Sequence, residues 1–338
     1  MTHRFAEFCL CPRCGAELWQ PDGQLCCVSC AVRYEVRDGI PMLLPSYEDD
    51  QKRYRYLSCY QKLAAEDLHA PIEVNREARH DALLRFIGNV RGKKVLDIGS
   101  SHALYLRRLD AGFKVAFDLA FPYLNTITNS DNLVRVCGDA EALPFKPGFF
   151  DVIIVSDILE HVLVPENLIV RLRAICRRGT RLIIHVPWEE NIEPYRESRY
   201  EFSHLRTFNA YAFAQLWQGF YIKRARGTYP TLDEPLLFKL QGRIPRRLYN
   251  LLVFLFFENG LSDREFLKRS RWVSELPRRE RWLLWFYRPK FMVFELRSTR
   301  DSVYSLIYRV FRLTRTVRDW AGRSGAPSVS AEVRSIRR

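Results

Sequence analysis

The strongest indication of the fold is the segment Val95-Leu96-Asp97-Ile98-Gly99-Ser100-Ser101-His102-Ala103. Its apolar start is typical of a buried strand, and the small residues after it are typical of a tight turn. Leu104, Leu106 and Leu109 then indicate a helix that closes at Gly112, and the apolar run 113–117 ends on Asp118. Strand, turn, helix and strand in this order predict the opening βαβ unit of an α/β domain.

The turn predicts a nucleoside-type cofactor. Gly99 and Ser101 are small enough to let a ligand approach the backbone. Asp118 lies twenty-one residues beyond Asp97, at the end of the second strand, where it can accept hydrogen bonds from a ribose diol. The departure from G-x-G-x-x-G argues against a pyrophosphate, which relies on closely packed glycine amides. Asp97 puts negative charge where phosphates would sit, but it could accept a hydrogen bond from an amino group.

With these residues the chain resembles the class I S-adenosylmethionine-dependent methyltransferases. The first motif of that family reads roughly [VL]-L-D-[IVL]-G-x-G-x-G, and residues 95–103 match it with Ser101 and Ala103 at the second and third glycine positions. Asp118 is similar to the family's ribose-binding acid. The resemblance extends over about residues 75–225 and implies a Rossmann-like, doubly wound α/β sheet with S-adenosylmethionine as cofactor.

Two further motifs follow in the family's order. Residues 138–145, Gly-Asp-Ala-Glu-Ala-Leu-Pro-Phe, resemble the segment whose Asp, here Asp139, meets the adenine amino group, and residues 150–162 resemble the fourth-strand signature. Residues 181–187 and 203–220 are similar to the family's fifth strand and to its closing loop, helix and strand. The cofactor-binding residues that the resemblance and the motif positions imply are Asp97, Gly99, Ser101, Asp118, Asp139, Ala140 and Asp157.

A base is required for methyl transfer only when the acceptor is weakly acidic, such as a hydroxyl. His161 lies just past the fourth strand, where a base would face the pocket, and it is the predicted catalytic residue; a purely structural histidine is the alternative. His204 and His102 are weaker candidates, and His102 is expected to bond locally. Asp157 could meet the cofactor or the acceptor, or cap the helix that follows.

Four cysteines predict a metal site near the N-terminus. Cys11 and Cys14 form one C-x2-C pair, Cys27 and Cys30 form another, and twelve residues separate the pairs. Such spacing points four thiolates at one tetrahedral ion and leaves no open position, so a structural Zn²⁺ is predicted; disulfides are the alternative. Residues 34–45 then resemble the ending of small zinc ribbons found in tRNA-methyltransferase activator proteins and at the head of some methyltransferases.

The predicted organisation has five parts. They are a zinc ribbon (1–45), a linker and lid helix (46–75), the cofactor-binding methyltransferase domain (76–230), a basic and apolar, mostly helical C-terminal extension (231–322) and a disordered tail (323–338). A solvated amphipathic helix is the alternative for the second part. Within the extension, 291–294 is typical of a strand, and 303–317 forms an amphipathic pattern that fits either a membrane interface or docking on the protein itself.

Composition limits the partners and the compartment. Lys and Arg number 53 against 39 Asp and Glu, and the resulting net charge of +14 favours an acidic partner such as nucleic acid or an anionic membrane surface. Because no apolar run reaches signal or membrane-span length and the cysteines fit metal binding, we expect a cytoplasmic protein, with a peripheral position at the inner face of the membrane as an option.

The sequence is compatible with three hypotheses for function. The leading one is methylation of a hydroxyl on a small molecule or a glycan, which could be carried on a lipid. The second is methylation of an RNA base, favoured by the positive charge and the metal module, although no N/D-P-P-[YF] stretch occurs. The third is a binding or scaffold protein on a methyltransferase fold, motivated by Ser101 and Ala103. No oligomeric state is predicted.

Overall fold

A computed structural model describes residues 5–21, 23–47, 49–66, 76–128, 130, 132–188, 202–217, 219–232, 245, 247 and 287–298. The chain divides into two compact units, Met1–Tyr229 with Pro289–Asp301, and Pro230–Arg288 with Ser302–Arg338. The first unit contains every predicted site residue and nearly all of the described residues.

The N-terminal segment forms a small antiparallel sheet and then a hairpin. The small sheet consists of β1 (Leu18–Trp19), β2 (Leu25–Cys27) and β3 (Arg33–Tyr34). The hairpin joins β4 (Val36–Arg37) to β5 (Ile40–Leu43) through Asp38 and Gly39, both with positive φ, as a two-residue turn of this kind requires.

A nine-stranded sheet forms the centre of the protein. Its further strands are β6 (Lys94–Ile98), β7 (Phe113–Asp118), β8 (Leu133–Gly138), β9 (Val152–Ser156), β10 (Arg181–Pro187), β11 (Phe220–Leu232) and β12 (Tyr287–Ser298). The order is β11-β12-β10-β9-β6-β7-β8-β5-β4, and every neighbouring pair from β10 to β5 is parallel. The chain order reverses at β6, so a crevice for ligands is expected at the carboxyl ends of these strands.

Buried apolar residues explain the parallel strands, and amphipathic helices cover them. Val95, Leu96 and Ile98 of β6 are fully buried, as both faces of a parallel sheet require. The helices are α1 (Gln51–Ala65), α2 (Arg76–Ile87), α3 (Leu104–Arg108), α4 (Phe121–Asn125), α5 (Pro165–Ile175) and α6 (Ala210–Leu216). Leu168 and Leu172 mark the buried stripe of α5 at helical spacing.

The N-terminal segment shares its core with the large sheet. The Phe8 ring lies 5.5 Å from Phe113 and 5.4 Å from Phe149, and Leu10 N–H donates to the carbonyl of Pro144 at 2.8 Å. Strand β5, inside the predicted ribbon, pairs in parallel with β8. The segment is therefore built into the same body as the cofactor domain.

Strand β12 enters the large sheet from the far end of the sequence. It pairs antiparallel with β10 from Leu182–Leu296 to Pro187–Phe291. On β12 the buried carboxylate of Glu295 accepts hydrogen bonds from Arg181, at 3.4 Å, and from Arg224, at 2.5 Å, and so links three strands. Within the predicted extension, the strand expected over 291–294 is thus present.

The doubly wound α/β architecture predicted from the sequence is confirmed, as are the strands over 95–98, 113–118 and 181–187. The amphipathic pattern at 303–317 and the predicted tail 323–338 lie outside the described residues. Among the residues that are described, no helix is long and apolar enough to cross a membrane. The predicted limits between the five parts stay predictions.

Candidate active site

A cavity of about 230 Å³ opens at the carboxyl ends of β6, β7, β8 and β9. Its walls include six of the seven predicted cofactor residues, namely Gly99, Ser101, Asp118, Asp139, Ala140 and Asp157, and also the predicted catalytic residue His161. Tyr56 and Tyr60 of α1 close one side. Asp97, the seventh predicted residue, is buried on β6, two residues before Gly99.

The turn after β6 is held in a conformation that favours glycine. Gly99 has φ +73°, and a Cβ atom built on it would lie 1.8 Å from Cδ1 of Ile158. The N–H groups of Gly99 and Ser100 both donate to the carbonyl of Phe117 on β7, at 2.8 and 3.1 Å. Ser101 and Ala103 also have positive φ, so the chain keeps the glycine-type turn at the two positions where other residues stand.

Asp118 fixes the turn and faces the cavity. Its two carboxylate oxygens accept the backbone N–H groups of Ser101 and Ala120, each at 2.8 Å. Burial raises the pKa of Asp118 to about 6, although these N–H groups and that of Leu119 act to lower it. Each oxygen keeps a second lone pair, so the side chain can still accept from two ligand hydroxyls.

Asp97 is an acceptor buried at the floor of the turn. It is 1% exposed, and its Oδ2 has no hydrogen-bond partner among the described residues. Burial raises the pKa of Asp97 well above its usual value, and the charge of Asp118 adds to the effect. A buried carboxylate oxygen with no partner needs a donor. The residues present therefore fit a ligand that carries an amino group and a ribose.

Asp139 is engaged by the lid helix as well as by its own turn. It caps the short helical turn Ala140–Ala142 by accepting the N–H of Glu141 at 2.8 Å. Its other oxygen accepts from the hydroxyl of Tyr47 and, at 3.4 Å, from Arg53 on α1. The sequence predicts that this carboxylate meets an adenine amino group, and that stays a prediction; in the structure the carboxylate anchors Tyr47 and the start of α1.

Asp157 belongs to a chain of hydrogen-bonded polar side chains that runs from α3 to β10. It has φ +54°, and its carboxylate contacts His185 Nδ1 on β10 at 3.1 Å and the Ser156 hydroxyl at 3.1 Å. The Tyr105 hydroxyl extends the chain to Ser156 at 3.2 Å. Of the three alternatives for Asp157, capping of the next helix does not apply, because α5 begins only at Pro165; contact with the cofactor or the acceptor stays a prediction.

His161 lies in a cluster with two other ionisable side chains. Ligand atoms of Glu160, His161 and His204 all lie within 4.8 Å of one another, and the two imidazole rings meet edge to face at 4.8 Å between centroids. Glu160 is 1% exposed. His102, the other weak candidate, bonds locally as expected, with Nδ1 2.8 Å from the Thr126 hydroxyl.

Sequence reasoning missed Arg53, Glu160 and His185 in this region, and it did not predict the bond between Tyr47 and Asp139. Only Glu160 carried a signal, since it precedes His161 directly and lies in the fourth-strand signature. Tyr47 and Arg53 bond to Asp139 across 92 and 86 residues, and no local pattern encodes such pairs.

The four predicted metal ligands are brought together. The Sγ atoms of Cys11, Cys14, Cys27 and Cys30 all lie within 4.8 Å of one another, with 3.7 Å between Cys11 and Cys30 and 3.4 Å between Cys14 and Cys27. Zinc–sulfur bonds of about 2.3 Å in a tetrahedron place sulfurs about 3.8 Å apart. The N–H groups of Ser29 and Cys30 point at the Cys27 sulfur, as a thiolate requires. All four are free cysteines.

Comparison with protein families finds a match in the middle of the chain. Residues 71–220 match the family model described as a methyltransferase domain. No curated protein matches the chain.

Solved structures with a similar fold include several methyltransferases. One is a complex between the Haloferax volcanii Trm112 methyltransferase activator and a methyltransferase, at 14% identity and TM-score 0.49, covering 71% of this chain and 97% of that one. Another is an S-adenosylmethionine-dependent methyltransferase from Mesorhizobium loti, at 14% identity and TM-score 0.42, covering 67% of this chain and 100% of that one. A third is phosphoethanolamine N-methyltransferase 2 from Haemonchus contortus, at 16% identity and TM-score 0.42, covering 76% of this chain and 61% of that one. At these identities and TM-scores the three say nothing about the acceptor of this chain.

Proposed function

We propose that this chain, in which residues 71–220 match a methyltransferase domain, is a class I S-adenosylmethionine-dependent methyltransferase whose acceptor is a hydroxyl of a small molecule or a glycan, including one carried on a lipid. The observation that carries this proposal is the position of His161. It lines the cavity that the cofactor residues form, and it is grouped with Glu160 and His204. An amine that is already nucleophilic would not need such a group, whereas a hydroxyl must lose its proton.

The cofactor residues have separate tasks in this proposal. Asp118 accepts from the ribose hydroxyls and Asp97 from the amino group, while Gly99 and Ser101 allow close approach. Asp139 and Ala140 line the adenine end, and Asp157 faces the reacting end. The cofactor supplies an electrophilic methyl group, so the protein's part is to hold the acceptor in line and keep water out. Tyr56 and Tyr60 from α1 serve the second purpose.

The four cysteines are proposed to hold a structural Zn²⁺. Four thiolates complete a tetrahedron and leave no position for a substrate. The module is packed on the large sheet through Phe8, so the metal supports the domain rather than the chemistry.

Calorimetric titration with S-adenosylhomocysteine tests the cofactor site first. We expect micromolar binding, which the change Asp118→Ala weakens at least tenfold, or about 1.4 kcal/mol. No binding by the folded protein would contradict the methyltransferase proposal and favour a scaffold. Labelled methyl transfer into pools of glycans, lipid extracts and small hydroxyl compounds then tests the acceptor class.

RNA methylation is the second candidate, and the net charge of +14 is the observation that favours it. Retention on heparin and incorporation of label into RNA separate it from the first candidate. Peripheral membrane binding is a separate proposal for the basic C-terminal part. Flotation with anionic liposomes that is lost on removing residues 299–338 would support it.

A further inference from the structure

We propose that Glu160, His161 and His204 form a second metal site, which binds a divalent transition-metal ion at the acceptor side of the cavity. The proposal rests on the proposed function and deepens it, because it assigns the activation of the acceptor hydroxyl to a cation that His161 binds, in place of His161 acting as the base itself. One carboxylate and two imidazoles have their ligand atoms within 4.8 Å of one another, and His161 belongs to the cavity wall.

The backbone holds the three residues together. Glu160 and His161 occupy the turn after β9, and His204 comes from a loop more than forty positions later. Leu205 N–H donates to the Glu160 carbonyl at 2.8 Å, directly beside His204. The Arg206 guanidinium donates to the carbonyls of Leu159, Val162 and Leu163 at 2.7, 2.5 and 3.2 Å. Four bonds thus pin the loop of His204 onto the turn that carries the other two ligands.

Two further features fit a metal site. His204 has φ +27°, a left-handed conformation that is uncommon for residues other than glycine and is often found where function demands it. The Glu160 side chain is almost completely buried next to two imidazoles, and a cation is a suitable counter-charge for a buried carboxylate. The burial of Glu160 and the backbone conformation of His204 therefore favour their role as metal ligands.

The donor set indicates the kind of ion. Two nitrogens and one oxygen suit Mn²⁺, Fe²⁺, Co²⁺ or Zn²⁺, whereas Mg²⁺ and Ca²⁺ prefer oxygen ligands alone. Three protein ligands leave positions open for an acceptor oxygen, unlike the four-cysteine site. The acceptor oxygen, bound to the ion, loses its proton to water. Its lone pair then forms the new bond to the methyl carbon, and the carbon–sulfur bond breaks with its electron pair going to sulfur.

Titration of the zinc-loaded protein with Mn²⁺ tests the site, because Mn²⁺ binds thiolates too weakly to displace zinc from the cysteines. Calorimetry and electron paramagnetic resonance report the bound ion. We expect one equivalent of Mn²⁺, with affinity at least tenfold lower in Glu160→Gln and in His204→Gln. The matched variant His102→Ala, which removes a histidine outside the cluster, should bind Mn²⁺ as the wild type does.

Binding of S-adenosylhomocysteine serves as the control for folding. His204 is only partly buried, so His204→Gln gives a second test if Glu160→Gln fails to fold. Wild-type protein that binds S-adenosylhomocysteine but no Mn²⁺ would overturn the metal site and leave the proposed function standing. Unchanged Mn²⁺ affinity in folded Glu160→Gln or His204→Gln would also overturn it. Loss of S-adenosylhomocysteine binding in the wild type would instead contradict the proposed function.

Discussion

Asp118 shows how one side chain serves both the fold and the cofactor site. Its carboxylate fixes the turn after β6 through the Ser101 N–H and also faces the cavity. Because burial raises its pKa to about 6, the ionised form that accepts hydrogen bonds is lost within an accessible pH range. The pKa of the neighbouring Asp97 is also raised, by burial and by the charge of Asp118.

We expect the affinity for S-adenosylhomocysteine to fall about tenfold between pH 7 and pH 5, since roughly nine-tenths of a group with pKa near 6 is protonated at pH 5. Calorimetry over this range measures the change. Asp118→Asn, which keeps the shape and removes the titration, should bind weakly at both pH values. An equally steep pH profile in that variant would assign the effect to another group.

The same raised pKa has the opposite consequence for stability. The folded state binds a proton on Asp118 that the unfolded state has already released between about pH 4 and pH 6. The contribution of this residue to folding is therefore largest below pH 4 and declines as the pH rises through 6. Ligand binding and stability thus respond to pH in opposite directions at this residue.

Alanine substitutions at Gly99 and Gly92 test whether the turn needs glycine for its backbone conformation or for the space beside it. An alanine there would face both φ +73° and the Ile158 side chain, whereas Gly92 has φ +70° with nothing within 4 Å of a new Cβ. We expect Gly92→Ala to cost about 1–2 kcal/mol of unfolding free energy, and Gly99→Ala clearly more, with loss of cofactor binding. The double variant Gly99→Ala with Ile158→Ala should recover part of the difference in urea denaturation. Equal costs for the two single variants would mean that Ile158 moves aside freely.

The sequence predicted the residues of this turn because each depends on its neighbours along the chain. Gly99 and Ser101 follow the strand directly, and Asp118 follows at the spacing of one βαβ unit. The partners of Asp139 could not be predicted, because Tyr47 and Arg53 reach it only through the docking of α1. Likewise, nothing in the local pattern brings His204 to His161.

Arg53 ties the start of helix α1 to the rim of the site. Arg53 donates to Glu141 at 2.6 Å and to Asp139 at 3.4 Å, and the Glu141 side chain is only 2% exposed. The helix begins next to this contact, because Asp50 caps it by accepting the Arg53 N–H at 3.0 Å. The start of the lid and the rim of the cavity are thus fixed by the same residue.

Arg53→Ala should lower the free energy of unfolding by about 1–3 kcal/mol, because it removes a partner from a buried carboxylate. It should also weaken cofactor binding and speed proteolysis within α1. Lys52→Ala, an exposed change one position away, is the matched control and should stay within about 0.5 kcal/mol of the wild type. Proteolysis of both variants at the wild-type rate would show that α1 is held by other contacts.

The parallel strands and their helices follow from apolar runs and helical spacing, so the sequence predicted them. The partner of β5 was not predictable in this way. Residues 40–43 read as the end of a ribbon, and only the folded structure shows that they add a strand beside β8. Pairing across 95 residues depends on the shape of the whole sheet, which a local pattern does not contain.

Within the first compact unit, the shared core couples the cysteine module to the cofactor domain. Phe8 packs on Phe113 and Phe149, and the Lys146 N–H donates to the Phe8 carbonyl at 2.9 Å. Loss of the metal should therefore destabilise the first compact unit as a whole.

Cys14→Ser, or treatment with a strong chelator, should lower the melting temperature of that unit and its affinity for S-adenosylhomocysteine together, with loss of about one zinc per chain. Calorimetry measures the melting temperature and the affinity, and metal analysis measures the zinc content. Cys59→Ser on α1 removes a thiol outside the cluster and should retain zinc. Full zinc retention in Cys14→Ser would contradict the four-cysteine site.

Two truncations test the contribution of β12. A chain ending at 298 keeps this strand and should bind S-adenosylhomocysteine as the full chain does. A chain ending at 286 lacks it and should not fold cooperatively, because it loses three buried side chains, Val293, Phe294 and Leu296, worth about 2–3 kcal/mol each, and the partner of Arg224. Cooperative unfolding of the shorter chain would show that the sheet tolerates an open position beside β10.

The order of strands in the large sheet also has a consequence for synthesis on the ribosome. Strand β11 leaves the ribosome some fifty residues before β12, yet β12 lies between β11 and β10 in the finished sheet. The edge of β10 therefore lacks its final neighbour until β12 has been translated. During that interval the nascent chain presents an unpaired hydrophobic edge, so chaperone binding and misassembly should concentrate on β10.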